Sequence, residues 1–362
     1  MNIHSRSRKK EGWSRLFMGA ALALLELYVL SGISMAMEAD EWEVQNISEH
    51  SEEETGQIII TDMGMLPAKR LSVIDIYYEN PVNSYQELKV PSLYIRQRGY
   101  YFIVDTYHDQ VLYTQNPNKP VKDWQVMAGG MNRPHAIAGN GEVWLVVDTD
   151  NNRVLVFERM NGRFENTQCF EQIGIRPHDI KYDDETDSFF VWSSMTGEMY
   201  ILKRDSVSGL MCIQEVRKIC ELDNYYIRSF TMMGDMILFV SGTNGYMLLV
   251  DKNSFKVLQR YPVSDEIAGM ACVKVIADSF YITVACDLYG RQEGAVFIRT
   301  NDLCGLCEGD YENLSVEYGL QGIPYYIEQI DDCYYMTNHG TSMSVFRFQE
   351  TYNGLSRPEV VY

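Results

Sequence analysis

Short runs in which apolar and polar residues alternate follow one another along most of the chain from about residue 90. The stretch Arg133 to Phe157, RPHAIAGNGEVWLVVDTDNNRVLVF, reads as two or three short strands separated by Gly, Asp and Asn turns, the second strand being rich in Val. Alternation over a few residues, with many β-branched and aromatic side chains, is typical of β-strands. After the N-terminal region no long amphipathic helical pattern competes with it. We therefore expect an all-β fold.

This pattern recurs in six copies. The copies open at Val90-Pro91-Ser92-Leu93-Tyr94, RPHAI (133–137), RPHDI (176–180), IRSFT (227–231), IAGMA (267–271) and IPYYI (323–327), and Pro91, Pro134 and Pro177 are 43 residues apart each time. Repeats of roughly 40 to 50 residues with four strands are typical of propeller blades. The sequence therefore predicts a six-bladed β-propeller with four-stranded antiparallel blades. A plain β-sandwich is the alternative.

One copy carries a recognisable motif. The segment VVDTDNNRVLVF, after RPHAI, resembles the NHL repeat, and IVDTYHDQVLY in the first copy is a degenerate version. The resemblance extends over about residues 90–350 and implies a six-bladed propeller, a fold that serves many functions. The last blade needs an outer strand to close the ring. We expect the N-terminal segment Arg70–Tyr78 to supply it, with Glu359–Tyr362 as the alternative.

The N-terminal region indicates export. Five basic residues between Arg6 and Arg15 precede a Leu/Ala-rich run from Leu16 to Ala36, which ends in the small-x-small pattern Ser34-Met35-Ala36. This arrangement is typical of a secretory signal peptide, and an uncleaved membrane anchor is the alternative. We expect a signal peptide or anchor over 1–36, an acidic disordered spacer over 37–56 and the propeller over 57–362. The protein would be secreted or extracytoplasmic.

Charge narrows the range of partners. Without residues 1–36 the chain keeps 26 basic and 48 acidic residues, a net charge of −22. Such a chain repels nucleic acid and anionic membranes. We therefore expect no nucleic-acid partner, and membrane contact only through an uncleaved N-terminal segment. A protein, peptide or glycan partner stays open.

The cysteines give no strong signal. Eight are present, and their spacings match no small disulfide scaffold. Cys304-Gly-Leu-Cys307 is a single CxxC, whereas a zinc site usually needs a second pair. A local disulfide or reduced thiols are the two interpretations.

Histidine positions indicate where a site lies. In a propeller blade the loop that leads into the innermost strand and the loop between strands two and three open on the same face, which we call the channel mouth. His135 and His178 hold equivalent positions in adjacent copies, and His108 and His339 fall in the strand two–three loops of blades one and six. The residues that we predict to bind a ligand at the channel mouth are His135, His178, Arg133, Arg176, Arg228, Tyr325, His108 and His339.

Imidazole, carboxylate and guanidinium groups around a concave opening suit a divalent metal ion or an anionic small ligand. For a metal, zinc or calcium, the expected ligands are His135, His178, Asp179 and Asp105. For Asp105 and Asp148 we favour a second role, in which the carboxylate holds turn backbone N–H groups, and ligand binding is the alternative.

No nucleophile motif, zinc-protease helix or phosphate-binding loop is present. We therefore favour a non-catalytic extracytoplasmic propeller that binds a ligand or protein partner at the channel mouth. The alternative is a metal-dependent lyase or hydrolase with a histidine-containing site at the same place.

Overall fold

The structure of the protein is a computed structural model that describes residues 60–61, 66–67, 69–70, 81–341 and 343–362. The three N-terminal pieces, described by their backbone, are the strands β1 Ile60–Thr61, β2 Leu66–Pro67 and β3 Lys69–Arg70. The predicted signal peptide and acidic spacer lie outside the described residues. In the part of the chain that is described, no helix is long and apolar enough to cross a membrane.

Six antiparallel sheets form a ring, which confirms the predicted six-bladed β-propeller. Each sheet corresponds to one copy of the repeat. Blade one contains β4 Pro91–Gln97, β5 Tyr100–Asp105, β6 Gln110–Thr114 and β7 Gln125–Ala128, and blade two contains β8 Pro134–Gly139, β9 Val143–Asp148, β10 Arg153–Met160 and β11 Arg163–Phe170. Blade three contains β12 Pro177–Asp183, β13 Ser188–Ser193, β14 Glu198–Arg204 and β15 Met211–Lys218, and blade four contains β16 Phe230–Met233, β17 Met236–Phe239, β18 Tyr246–Asp251 and β19 Val257–Pro262. Blade five contains β20 Gly269–Ile276, β21 Ser279–Cys286, β22 Val296–Thr300 and β23 Glu312–Asn313, and blade six contains β24 Ile323–Ile330, β25 Cys333–His339, β26 Ser344–Thr351, β27 Gly354–Leu355 and β28 Glu359–Val360.

Short helices occupy several connecting loops. The α-helix α1 Leu314–Tyr318 lies between blades five and six, where Asn313 caps it by accepting the Val316 N–H. The 3-10 turns are Thr106–His108, Val121–Asp123, Thr149–Asn151, Cys220–Leu222, Asp265–Ile267, Gln292–Gly294 and Leu303–Glu308.

The core lies between the blades, because the middle strands are apolar on both faces. In blade two β9 is buried along its whole length. The ring of Phe164 joins blades one and two, with centroids 4.8 Å from Tyr113 and 4.9 Å from Trp144. Burial on both faces explains why the second strand of each copy is an apolar run and not an alternating one.

The last blade is closed by the C-terminal alternative and not by the expected N-terminal strand. β28 pairs with β26 through Arg347 and Glu359. Arg70, where the expected strand begins, pairs instead with Gln168 of blade two, and residues 71–78 lie outside the described ones. The physical reason is proximity: a segment that follows β26 closely folds back at a smaller loop-closure cost than one from the far end of the chain.

Tyr362 then contacts blade one across the junction between the first and last blades. Its ring lies 5.7 Å from Tyr94 and 5.5 Å from Trp124, and its hydroxyl donates to the Pro117 carbonyl. Among the described residues, the first and last blades are therefore joined by side-chain contacts and not by a shared strand.

Candidate functional site

In several blades the innermost strand begins with a β-bulge, which changes the direction of the side chain at the bulged position. In blade two Pro134 pairs with Asp148 and Ala136 pairs with Val147, so His135 is skipped. The same shift skips Ser92 in blade one, His178 in blade three, and Tyr325 with Tyr326 in blade six. A bulged residue leaves the strand ladder and its side chain takes a new direction. The equivalent positions that the sequence predicted are thus bulge positions.

The bulged side chains of three blades meet at the channel mouth. The imidazoles of His135 and His178 stack with centroids 4.0 Å apart and planes inclined by 19°. The hydroxyl of Tyr325 lies 3.4 Å from His135 Nδ1 and 3.3 Å from His178 Nε2. Blade six is opposite blade three in a ring of six, so Tyr325 reaches across the channel. We call the side chains of His135, His178 and Tyr325 the floor of the channel mouth.

Three arginines surround this floor. Arg133 and Arg176 share Asp150, at 3.5 Å and 3.3 Å. The guanidinium groups of Arg176 and Arg228 lie 5.1 Å and 4.6 Å from the ring of Tyr226, and that of Arg133 lies 5.4 Å from the ring of Tyr107. Cations over aromatic faces are attracted by the ring quadrupole. The rim of the channel mouth is therefore cationic and aromatic.

The backbone of the first two arginines is fixed by the preceding blade. Arg133 and Arg176 have φ of 49° and 55°, a left-handed conformation that costs energy in a residue with a side chain. The Arg133 N–H donates to Asp109 Oδ1 at 2.9 Å, and the Arg176 N–H donates to Asn152 Oδ1 at 2.7 Å. These bonds to the neighbouring blade hold the unfavourable geometry.

His339 and Cys286 complete the wall on the side of blades five and six. His339 lies 5.4 Å from the ring of Tyr325. Cys286 Sγ accepts from Arg228 at 3.5 Å. Gly269 is required beside it, because a Cβ there would lie 2.4 Å from Cys286 Sγ. Three of the four predicted histidines, His135, His178 and His339, thus lie together at the channel mouth.

The imidazoles of the channel mouth are uncharged at neutral pH. Burial lowers the pKa of His135 and of His178 well below the ordinary 6.5, and the nearby arginines add to the effect. Burial, followed by Arg228, lowers the pKa of His339 to about 4. Burial raises the pKa of the Tyr325 hydroxyl, which stays protonated. The positive charge of the channel mouth therefore comes from its arginines.

His108 has a structural contact of a different kind. Its Nδ1 lies 2.7 Å from Asp105 Oδ2, and its ring stacks on Tyr85 at 3.6 Å. In the next blade Asn151 occupies the equivalent position and donates to Asp148 Oδ2 at 2.9 Å. His108 and Asn151 thus make the equivalent contact, each with the buried aspartate of its own loop.

Asp105 and Asp148 support the loops, which is the role favoured from the sequence. Asp105 Oδ1 accepts the Lys89 N–H and Asp148 Oδ1 accepts the Asn132 N–H, each at 2.7 Å. Both carboxyl groups are fully buried. Burial raises the pKa of Asp105, although the Lys89 N–H and His108 oppose the rise.

Asp179 lies one layer deeper in the channel. It contacts Lys181 Nζ at 3.3 Å and accepts from Tyr326 Oη and the Phe230 N–H, each at 3.3 Å. Burial raises the pKa of Asp179 to about 6, although Lys181 opposes the rise. The Asp179 carboxylate therefore already pairs with Lys181 and accepts a hydrogen bond from Tyr326.

The structure does not bring the four expected metal ligands together. Among the described residues, no group of three or more His, Cys, Asp or Glu side chains is placed to hold a metal ion. His135 and His178 are adjacent, while Asp105 and Asp179 are engaged in separate contacts. None of the eight cysteines, all of which are described, forms a disulfide in the structure.

The opposite end of the channel holds a cavity of about 470 Å³. It is lined by the far ends of the innermost strands of blades one, two, three and six. Its charged groups are already paired: Arg96 with Asp331, Arg98 with Asp184 and Lys274 with Glu328. Each of these cations has a carboxylate of its own, whereas Arg133 and Arg176 at the channel mouth share one, Asp150.

Four residues of the channel mouth escaped sequence reasoning: Tyr107, Asp150, Tyr226 and Cys286. Tyr107 and Asp150 are equivalent in DTYHD and DTDNN, so a comparison of the two copies identifies the position that faces the channel mouth. Tyr226 precedes the copy-four motif by one residue, and nothing in its sequence context distinguishes it from the other tyrosines.

No protein-family model matches the chain, and a search of curated proteins finds no match. Solved structures do match. A 6-phosphogluconolactonase-like protein from Bacteroides fragilis has a TM-score of 0.54 and 11% identity, covering 74% of this chain and 85% of the other. One from Bacteroides uniformis has a TM-score of 0.54 and 12% identity, with coverages of 77% and 86%. Streptogramin B lyase has a TM-score of 0.51 and 9% identity, with coverages of 84% and 87%.

At these identities the matches show the propeller fold alone. They leave the NHL-repeat resemblance a prediction. The function has to be inferred from the channel mouth itself.

Proposed function

We propose that this protein is a non-catalytic binding propeller whose channel mouth recognises an anionic group of a ligand or protein partner. One observation carries the proposal: Arg176 and Arg228 both lie against Tyr226, above a floor of uncharged imidazoles. Guanidinium groups bind carboxylate and phosphate through paired N–H donors. The uncharged imidazoles and the Tyr325 hydroxyl can donate further hydrogen bonds to an anion that the arginines hold.

An unsatisfied donor supports the same function. Arg176 Nε is buried and has no acceptor among the described residues. Buried donors are nearly always hydrogen-bonded, to protein, water or ligand. An anion held by Arg176 would supply an acceptor close to it.

The overall charge makes the channel mouth distinctive. The chain carries a net charge of −19, yet three arginines surround this opening. An acidic protein repels anions over most of its surface and attracts them where cations are concentrated. The field thus favours anion binding at the channel mouth.

The test is isothermal titration calorimetry with succinate and inorganic phosphate, and with uncharged succinamide as the negative control. We expect succinate or phosphate to bind and Arg228→Gln to weaken binding about tenfold or more, since a charged hydrogen bond is lost. Arg204→Gln is the matched control, because Arg204 pairs with Glu142 at the opposite face. Equal binding by the wild type and Arg228→Gln contradicts the proposal, as does absence of binding.

A second candidate uses the same residues for a lyase or hydrolase reaction. The stacked His135 and His178 beside Tyr325 favour it, because an uncharged imidazole within reach of a phenol is suited to accept and return a proton. For the metal-dependent form, elemental analysis of the purified protein is decisive. Stoichiometric zinc or calcium that disappears in His135→Ala/His178→Ala supports it, and a metal-free protein contradicts it.

We further propose that the protein acts outside the cytoplasm. The basic and apolar pattern of residues 1–36 supports this location. Mass spectrometry of the protein from its native envelope or medium fraction tests it. A mature N-terminus near residue 37 indicates release, an intact one in the membrane fraction indicates anchoring, and an intact cytoplasmic chain contradicts the proposal.

A further inference from the structure

We propose that the channel mouth and the loops around it form one docking face for a peptide segment that ends in a free C-terminal carboxylate and carries apolar side chains before it. This inference rests on the anion recognition proposed above. It adds the class of partner and the surface that binds the remainder of the segment.

The loops around the channel mouth expose an unusual set of large apolar side chains. These loops lead into the innermost strands or join strands two and three, so they all open on the same face. The exposed residues on them are Tyr85 (42%), Tyr107 (46%), Ile175 (46%), Tyr225 (38%), Tyr289 (68%), Val316 (77%) and Met343 (36%). Tyrosine, methionine and arginine are enriched in protein interfaces. The composition of this face therefore favours a protein partner over a small ion alone.

The exposed apolar residues lie close to the arginines in space or along the chain. Tyr107 lies under the Arg133 guanidinium, and Ile175 is the chain neighbour of Arg176. Tyr225 adjoins Tyr226, whose ring contacts both Arg176 and Arg228. A carboxylate held by the arginines therefore places the groups attached to it against apolar surface.

The closed floor favours the end of a chain. Tyr325, buried and within 3.4 Å of both imidazoles, lies across the channel. A chain end can enter and stop at this floor. An internal acidic residue would require the chain to turn back out of the opening.

The charge balance favours one carboxylate over an acidic run. The protein has a net charge of −19, so the protein as a whole repels a polyacidic segment. A single carboxylate that is preceded by apolar residues is attracted by the arginines and avoids this repulsion.

The test is selection from a library of randomised octapeptides fused to the C-terminus of a carrier, so that each ends in a free carboxylate. We expect enrichment of aromatic and aliphatic residues in the last four positions. For the best peptide, amidation of its C-terminus should lower affinity about tenfold or more, as should Arg228→Gln in the protein. Enrichment of internal Asp or Glu with no effect of amidation would overturn the assignment to a chain end.

Two sets of variants separate the docking face from anion binding. Ile175→Ser/Tyr225→Ser should lower peptide affinity about tenfold and leave succinate affinity unchanged, because it removes apolar contacts and keeps the arginines. The matched control is Val207→Ser/Tyr352→Ser on the opposite face, where both side chains are almost fully exposed at 92% and 103%. Folding of each variant is checked by thermal unfolding.

The outcomes distinguish the two proposals. Succinate binding at Arg228 without peptide enrichment overturns the docking face and leaves anion recognition in place. Peptide binding that is insensitive to Arg228→Gln overturns both the carboxylate assignment and the proposed function. Peptide binding that Ile175→Ser/Tyr225→Ser does not weaken overturns the apolar part.

Discussion

The imidazole rings of His135 and His178 stack 4.0 Å apart although the two residues belong to neighbouring blades. Each sits in a bulge of its own innermost strand, and Tyr325 from the opposite side of the ring lies beside both. Two imidazolium ions at this distance would repel each other strongly. The stacking is therefore stable while the rings are uncharged, which ties the stability of the propeller to pH.

The fold should lose stability as the pH falls below about 6.5. The folded-state pKa values of His135 and His178 lie well below 6.5, and that of His339 is lowered to about 4. In the unfolded chain these groups take up protons near pH 6.5, whereas in the folded protein they do so at lower pH. The unfolded state thus binds more protons in this window, and each histidine contributes up to ~1.4 kcal/mol of destabilisation per pH unit.

Urea unfolding at pH 7, 6 and 5 measures this loss. His135→Gln/His178→Gln serves as the comparison, because it keeps polar side chains and removes two titrating groups. The decrease in unfolding free energy between pH 7 and 5 should be smaller in this variant. Equal decreases would show that the two histidines titrate alike in the folded and unfolded states. The difference between the two proteins also cancels the opposite effect of Asp179, whose raised pKa favours the folded state on acidification.

Tyr325→Phe should cost about 1 kcal/mol of unfolding free energy. The change removes the hydroxyl that lies 3.3 Å and 3.4 Å from two buried imidazole nitrogens. Tyr325→Ala should cost ~3–5 kcal/mol, because it also leaves a cavity at the floor. Tyr352→Phe is the control, since the Tyr352 side chain is fully exposed. The unfolding free energies are measured by chemical denaturation. Equal values for Tyr325→Phe and the wild type would contradict hydrogen bonding by the Tyr325 hydroxyl.

Asp179→Ala should cost ~3 kcal/mol. The side chain is 1% exposed and pairs with Lys181, which is 23% exposed. Removal of the carboxylate leaves the partly buried Lys181 ammonium group and the Tyr326 hydroxyl without this acceptor. Asp179→Asn keeps an acceptor oxygen and should cost less. An exposed pair, Arg98 and Asp184, supplies the control: Asp184→Ala should change stability by less than about 1 kcal/mol. Similar costs at both sites would contradict the argument.

Thr149→Val should destabilise the protein by ~1–3 kcal/mol, although the two side chains have nearly the same shape. Thr149 Oγ1 donates to the Pro177 carbonyl of the next blade at 2.8 Å, and Thr106 donates to the Pro134 carbonyl in the same way. The variant leaves a buried carbonyl without a donor. Thr351→Val, at an exposed position, should have little effect. Equal melting temperatures for the two variants would refute the proposal that Thr149 stabilises the contact between blades two and three.

The fold was predictable because a repeated pattern is visible without any contact information. Six copies with four strands each lead to six blades, and the loop argument correctly places His135, His178 and His339 on one face. The closing strand was not predictable from the pattern, since Arg70–Tyr78 and Glu359–Tyr362 both fit a strand. The choice between them depends on the energy of strand pairing and on the length of the connecting loop. The pattern of apolar and polar residues contains neither.

The candidate site was predictable in position and only partly in composition. Histidine count led to an expectation of metal ligands, yet Asp179 faces Lys181 and Asp105 holds the Lys89 N–H. The direction of a side chain at a bulge depends on a local register shift, which sequence spacing does not encode. Tyr226 illustrates the remaining gap, because its place between two guanidinium groups arises from packing between blades three and four.

The bonds from Asp109 to Arg133 and from Asn152 to Arg176 have a mechanical consequence. Each arginine is positioned by the blade before its own, so the separation of their guanidinium groups depends on the rotation of one blade against the next. An anion bound by both would resist that rotation. Occupancy of the channel mouth by such an anion would therefore be coupled to the rigidity of this sector of the ring, that is, to how readily the first and second blades rotate against each other.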